Sequence, residues 1–173
     1  MGRRLRFRGS GHQKVDKKGR VSIPASFRRV LEAGDPAWEP GQNPEFVIVY
    51  GDHRRNFLEC YTMVAIEEVE DQIDDMPRGS PERRILENIF TGLSVTATVD
   101  ETGRIVLTQL LRDKIGVPLD SEAFFIASGD TFQVWNPETY NEVERARVDE
   151  YLDALPADVD PLTLLPEKRK REE

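Results

Sequence analysis

Residues 15–31 read VDKKGRVSIPASFRRVL and residues 99–115 read VDETGRIVLTQLLRDKI, so the chain contains nearly the same stretch twice. The offset between the two copies is a constant 84 residues. The identical positions, which align without a gap, are Val15/Val99, Asp16/Asp100, Gly19/Gly103, Arg20/Arg104 and Arg28/Arg112. Chance can match one short turn, but a matching turn, strand and helix start together indicate a duplicated supersecondary unit.

Each copy has the pattern of a strand, a turn, a second strand and a helix. In the first copy a short strand runs up to Val15, DKKGR forms the turn, and VSI forms the second strand. Pro24 suits the first turn of the helix that follows, because its missing N–H costs nothing there. In the second copy DETGR is the turn, IVL is the second strand, and Thr108 can cap the helix.

The two turns use the same pair of structuring residues. Asp16 and Asp100 can each accept hydrogen bonds from backbone amides ahead of them in the turn. Gly19 and Gly103 supply the positive φ that other residues resist. We therefore expect two tight turns of the same conformation.

A hairpin and a helix follow each copy. Residues 46–61 and 124–135 are predicted hairpins, and helices are predicted over about 63–76 and from 136 onward, with a linking helix over 81–90. Two strands before and two after the first helix do not make a stable sheet in either half alone. We therefore expect an α+β fold in which the halves interleave their strands around a pseudo-twofold axis, forming one small closed β-barrel with peripheral helices.

The chain is accordingly divided into five predicted segments. They are a flexible basic arm (1–6), a first repeat (7–77), a linking helix (78–92), a second repeat (93–155) and a disordered tail (156–173).

Composition excludes several classes of protein. No apolar run approaches the roughly 20 residues of a membrane span, and the basic N-terminus lacks the apolar segment of a signal peptide. The single cysteine, Cys60, permits neither an intrachain disulfide nor a cysteine metal cluster. A cytoplasmic protein is the simplest interpretation.

The net charge of −8 hides a strong asymmetry along the chain. Residues 1–31 hold ten of the 24 Lys and Arg residues and one acid, whereas residues 32–173 hold 14 cations against 31 acids. An acidic body repels polyanions everywhere except at a cationic surface. Five of the ten cations lie inside the repeated unit, which favours a binding face over a loose basic tail.

No complete catalytic or cofactor-binding constellation is present. The two histidines, His12 and His53, have no second ligand or acid partner at a useful spacing in the sequence. Asp16 and Asp100 each structure their own turn, and each is neutralised by an arginine four residues later in the sequence. We therefore expect no enzyme activity, no metal and no cofactor.

The Asp-x-x-x-Arg turns have two interpretations. The first is structural, with the pairs Asp16–Arg20 and Asp100–Arg104 only fixing two hairpins. The second is a nucleic-acid contact, because cations that surround the first turn repel one another unless a polyanion neutralises them. Those cations are Arg8, Lys14, Lys17, Lys18 and Arg20. Arginine also suits bidentate contact with guanine.

Three segments, FRGSGHQKVDKKGRVSIPASFRRVL, VDETGRIVLTQLLRDKIGV and FQVWNPETY, resemble the MraZ family of bacterial transcriptional regulators over roughly residues 7–155. The resemblance implies two AbrB-like swapped-hairpin repeats and a ring-shaped homo-oligomer. It also implies binding, usually as a repressor, to short direct DNA repeats upstream of the division and cell-wall gene cluster, which includes the protein's own gene. Such a protein would be associated with the nucleoid. Lys18 and Arg20 would be the leading DNA contacts, with Arg104 as their counterpart.

The sequence departs from the family pattern in three places. Residues 1–5 extend the N-terminus, Thr108 stands where a proline is common, and the tail after Leu155 has no family role. The two copies also differ in charge, since residues 15–31 sum to +4 and residues 99–115 to zero. We expect the first copy to supply most of the phosphate attraction.

Two other functions fit the same features. A protein-interaction scaffold could use the basic turns to dock an acidic partner, and a non-specific nucleoid or RNA-binding module could use them for phosphates. Only Phe7 and Phe27 lie near the basic turn, which argues against base stacking on single strands.

Overall fold

The computed structural model describes residues 4–167. The chain forms two compact units, Met1–Pro137 and Glu138–Glu173. In its described part the first unit contains one eight-stranded antiparallel sheet with helices outside it. The strands are β1 (Ser10–Val15), β2 (Arg20–Ser22), β3 (Glu45–Val49), β4 (Phe57–Thr62), β5 (Ser94–Thr98), β6 (Arg104–Val106), β7 (Ser121–Ser128) and β8 (Thr131–Trp135). The helices are α1 (Ala25–Ala33), α2 (Met63–Asp74), α3 (Pro81–Glu87), which continues as a π-helical turn (Asn88–Gly92), and α4 (Gln109–Ile115).

The two halves exchange their first strands. The sheet order is β5-β3-β4-β8-β7-β1-β2-β6, so β1 of the first copy pairs with β7 of the second. Reciprocally, β5 of the second copy pairs with β3 of the first. This reciprocal exchange confirms the predicted interleaving of two swapped hairpins in one α+β fold.

The pseudo-twofold axis passes between β2 and β6. Val21 pairs with Ile105 at the centre of this antiparallel ribbon. On one side the Ile23 amide donates to the Gly103 carbonyl at 2.8 Å, and on the other the Leu107 amide donates to the Gly19 carbonyl at 2.7 Å. Each glycine of the sequence repeat is thus bonded to the opposite copy.

The barrel is nearly closed where β5 meets β6. The Asp100 amide donates to the Arg104 carbonyl at 2.8 Å, matching the bond of 3.0 Å from the Asp16 amide to the Arg20 carbonyl in the first copy. The second turn therefore joins the two end strands of the sheet, and little strand edge remains exposed.

The barrel interior is filled by aromatic and branched apolar side chains. Phe132 lies at the centre of the aromatic group, with ring centroids 5.0 Å from Phe7, 5.1 Å from Phe27 and 5.9 Å from Phe125. Cys60 is fully buried, and burial raises the pKa of its thiol well above the ordinary value. Cys60 is thus a small apolar side chain of the core.

Most predicted elements form with small shifts at their ends. Helix α1 begins at Ala25, so Pro24 occupies the N-cap position and not the first turn. The linking helix departs from α-helical geometry after Glu87, because the Leu93 amide donates to the Asn88 carbonyl five residues back, at 2.9 Å. The Ser94 hydroxyl donates to the Phe90 carbonyl at 2.9 Å and so satisfies an acceptor of this wider turn.

The second unit is helical in its described part. It contains the end of α5 (Pro137–Thr139), a π-helical segment (Tyr140–Arg145), α6 (Ala146–Asp153) and a 3₁₀ turn (Pro161–Leu164). The Asp160 carboxylate caps that 3₁₀ turn by accepting from the Leu162 amide at 2.9 Å. Residues 1–3 of the predicted arm and 168–173 of the predicted tail lie outside the described residues. The segment boundaries proposed from the sequence stay predictions.

Alanine substitution of the two turn glycines tests the pairing at the axis. Both glycines have positive φ, +78° and +79°. Each alanine substitution therefore lowers the free energy of unfolding by about 1 kcal/mol through backbone strain alone. A Cβ on Gly19 would lie 2.6 Å from the Leu107 carbonyl oxygen, whereas on Gly103 it would meet only a terminal nitrogen of Arg28 at 3.3 Å. We expect Gly19→Ala to lower the free energy of unfolding in urea clearly more than Gly103→Ala. Equal losses would contradict this packing of the first turn against β6.

Candidate nucleic-acid interface

The first turn is held by the carboxylate of Asp16. One oxygen accepts from the backbone amides of Lys18 at 2.8 Å and Arg20 at 2.9 Å, and the other accepts from Arg20 Nε at 2.7 Å. These bonds, led by the Arg20 amide, lower the pKa of Asp16 from 3.8 to about 2. The turn therefore keeps its negative partner charged and fixes the direction of the Arg20 side chain.

The second turn has the same backbone but a different side-chain link. Asp100 accepts from the amides of Thr102 and Arg104, and their contacts lower its pKa. Arg104 Nε donates to the Thr102 hydroxyl at 2.8 Å, and that hydroxyl donates to Asp100 at 2.7 Å. Arg104 Nε itself is 3.8 Å from the carboxylate. Arg104 is thus held through Thr102, where Arg20 is held by the acid itself.

Both arginines lie on one outward face of the β2–β6 ribbon. Strand alternation buries Val21 and Ile105 at 1% and 2% exposure and turns the flanking residues outward. Arg20 and Arg104 are diagonal neighbours in the register, which places their Cα atoms about 7–8 Å apart. Their side chains are 37% and 34% exposed. The pairing that forms the axis therefore also brings the two repeated arginines together.

The lysines of the first copy lie beside this face. Lys17 and Lys18 are exposed at the tip of the first turn, and Lys14 is exposed on the outer side of β1. Lys14 is directly opposite Glu122 of β7 in the register. The same carboxylate is 3.6 Å from His12 Nδ1, although no acid lies at a useful spacing from His12 in the sequence. The partner comes from the other half of the chain, which sequence spacing does not show.

Arg8 is not brought to the first turn. It is exposed and precedes β1, whose six residues span about 20 Å before the turn begins. The structure groups Lys14, Lys17, Lys18 and Arg20 with Arg104, and it places Arg8 at the other end of β1.

Two further repeated arginines each pack against the turn glycine of the opposite copy. Arg112 Nε donates to the Leu107 carbonyl at 3.1 Å and lies against Gly19 of the opposite copy. Its counterpart Arg28 lies against Gly103 and is 3.6 Å from Glu32. Their shared register in the repeat was the signal in the sequence, but their packing across the two copies follows only from the strand exchange.

Metal sites and membrane spans are two features that the described part of the chain lacks. Among residues 4–167 no group of three or more His, Cys, Asp or Glu is arranged to hold a metal ion. No helix in that range is long and apolar enough to span a bilayer.

Comparison with known proteins defines the class. Residues 7–89 match the family model described as "MraZ protein, putative antitoxin-like". The chain is 67% identical to the transcriptional regulator MraZ of Ruegeria sp. (strain TM1040), over 95% of its own length and 96% of the relative. It is 64% identical to the MraZ of Ruegeria pomeroyi, over 92% of the chain and 95% of the relative. It is 34% identical to the MraZ of Rhodospirillum rubrum, over 82% of the chain and 85% of the relative. The duplicated barrel is thus that of a transcriptional regulator.

The chain belongs to the MraZ family, as these identities over nearly its whole length show. The family consists of regulators and not of enzymes, which confirms the prediction from the missing catalytic constellation. The AbrB-like fold expected from the resemblance agrees with the exchanged strands.

Replacing Asp16 by Asn tests the carboxylate in the first turn. The folded pKa, about 2, lies below the ordinary value of 3.8. Asp16 therefore contributes stability that is fully present above about pH 4 and is lost as the pH falls toward 2. We expect Asp16→Asn to unfold more easily at pH 6 and to show a smaller further loss of stability between pH 4 and pH 2. The check is urea unfolding at a series of pH values, and an unchanged acid dependence would contradict it.

Proposed function

We propose that this protein is a sequence-specific DNA-binding regulator, acting mainly as a repressor. Its proposed sites are short direct repeats upstream of the division and cell-wall gene cluster, including its own gene. Family membership supports regulation of transcription, and the outward face of the β2–β6 ribbon supports contact with duplex DNA.

One observation carries this proposal, namely that Arg20 and Arg104 share one outward face. The major groove of B-DNA admits a two-stranded β-ribbon, and bidentate arginine to guanine is the commonest specific contact there. The fixed Nε contacts leave the two arginines pre-oriented, which reduces the entropy lost on binding. The remaining proposed DNA contacts are Arg8, Lys14, Lys17 and Lys18, which would bind phosphates. Asp16, Gly19, Asp100 and Gly103 are proposed to set the shape of the turns.

The two turns make unequal contributions in this proposal. The first tip carries Lys17 and Lys18, whereas the second carries Glu101 and Thr102 at the same positions. Phosphate attraction therefore comes mainly from the first copy, while the second copy contributes Arg104 and the strand that orients Arg20.

We further propose a ring-shaped homo-oligomer. One chain offers few cations at this face, so its binding would be weak and sensitive to salt. Direct repeats require copies that face the same way, as in a head-to-tail ring. Several copies bound to successive repeats gain avidity without any new type of contact. The proposed location is the cytoplasm, in association with the nucleoid.

A DNA-binding titration of Arg20→Ala against Arg104→Ala tests the proposal. The probe is duplex DNA from upstream of the chain's own gene, and the readout is mobility shift across a salt series. We expect both variants to bind more weakly, with about a tenfold or larger loss for Arg20→Ala and a smaller loss for Arg104→Ala. Equal losses would refute the asymmetry between the copies.

Arg54→Ala is the matched control for the removal of one arginine. Arg54 is exposed on the loop that joins β3 to β4, and neither strand pairs with β2 or β6. Its guanidinium pairs with Asp52 at 2.8 Å. The Arg54→Ala variant should bind DNA as the parent protein does.

If unrelated duplex competes equally with the upstream DNA, the protein is a non-specific binder. A protein partner retained after nuclease treatment, with no DNA shift, would support the scaffold function instead.

A further inference from the structure

At two aligned outward positions the second copy carries an apolar side chain where the first copy carries a serine. Ser22 and Ser26 of the first copy correspond, at the offset of 84, to Val106 and Leu110 of the second. The two apolar side chains are each 53% exposed. The barrel core does not need them, because the neighbouring Ile105 and Leu107 are 2% and 1% exposed.

Val106 lies directly opposite Arg20 in the β2–β6 ribbon. Side chains at such opposed positions have Cβ atoms about 5 Å apart on the same face. The reciprocal position pairs Arg104 with Ser22. Each repeated arginine therefore has a different companion, a branched apolar side chain for Arg20 and a hydroxyl for Arg104.

The geometry leaves Val106 open to a ligand beside Arg20. Arg20 Nε is bound to Asp16, four residues back along the chain, so the guanidinium is drawn toward the turn. Val106 has a stiff, β-branched side chain that presents its methyl groups in one orientation. An apolar surface and a guanidinium thus stand side by side on the face proposed to contact DNA.

Thymine is the base whose major-groove edge carries an apolar group, its C5 methyl. We propose that Val106 contacts the C5 methyl of a thymine next to the base pair contacted by Arg20. This inference rests on the proposed DNA-binding function. Ser22, beside Arg104, offers a hydroxyl that can bond to several bases and gives no such preference. The two arginines consequently recognise different base steps, so the protein binds each DNA site in one orientation.

A protein contact at Val106 and Leu110 is the competing explanation. Protein interfaces and apolar docking patches usually cover several hundred Å² of contiguous apolar surface. Val106 is instead flanked by Arg20 opposite and by Arg104 two residues earlier on its own strand. The polar surroundings favour a base edge over an apolar partner.

Replacing each thymine of the upstream duplex singly by uracil removes only the methyl group and so tests the proposal. The parent protein should lose about fourfold in affinity at one thymine in each repeat, which corresponds to the ~0.8 kcal/mol of one buried methyl-sized group. Val106→Ser gives the second copy the residue that the first copy carries at the aligned position, Ser22, and removes both methyl groups. This variant should bind the thymine and uracil duplexes equally.

Two variants of Ser22 complete the experiment. Ser22→Ala should leave the uracil profile of the parent protein unchanged, whereas Ser22→Val should create a second sensitive thymine, near the base contacted by Arg104. The proposal is overturned if Val106→Ser keeps the parent's sensitivity to uracil, or if no thymine is sensitive while the parent binds its DNA specifically. A change in the sedimentation of Val106→Ser would assign the residue to a protein interface and also overturn it. Failure of the parent protein to bind the upstream duplex at all would remove the proposed function itself.

Discussion

The structure depends on the antiparallel pairing of β2 with β6. Two short hydrogen bonds, from Ile23 to Gly103 and from Leu107 to Gly19, tie each turn to the opposite copy. Once these strands pair, β1 can reach β7 and β5 can reach β3, so that neither half keeps its own first strand. The nearly closed core and the placement of the two turns follow from that exchange.

The same pairing decides which side chains lie on the outward face of the β2–β6 ribbon. Because side chains alternate along a strand, burying Val21 and Ile105 obliges Arg20 and Arg104 to point outward. The turns then fix both arginines, one through Asp16 and the other through Thr102. A structural role for the Asp-x-x-x-Arg turn and a role in binding are thus compatible, since the salt bridge orients the guanidinium and leaves it partly exposed. Duplication supplies two such turns, and divergence makes them unequal.

Much of this arrangement could be predicted from the sequence, because the repeat preserves local signals. The turn residues, the alternating strands and the need for two halves to share one barrel are all visible in residues 15–31 and 99–115. The long-range register is not visible. It decides that Glu122 lies beside His12 and that Arg112 packs under Gly19. It also separates Arg8 from the other cations, although all of them are close in sequence.

Hydrogen–deuterium exchange of the protein, with and without the duplex from upstream of its gene, tests whether the β2–β6 pairing builds one DNA-binding face. DNA should slow exchange in residues 16–22 and 100–106 together, because the pairing places both segments on that face. Slowing in only one of these segments, or in neither while DNA is bound, would rule out a shared face.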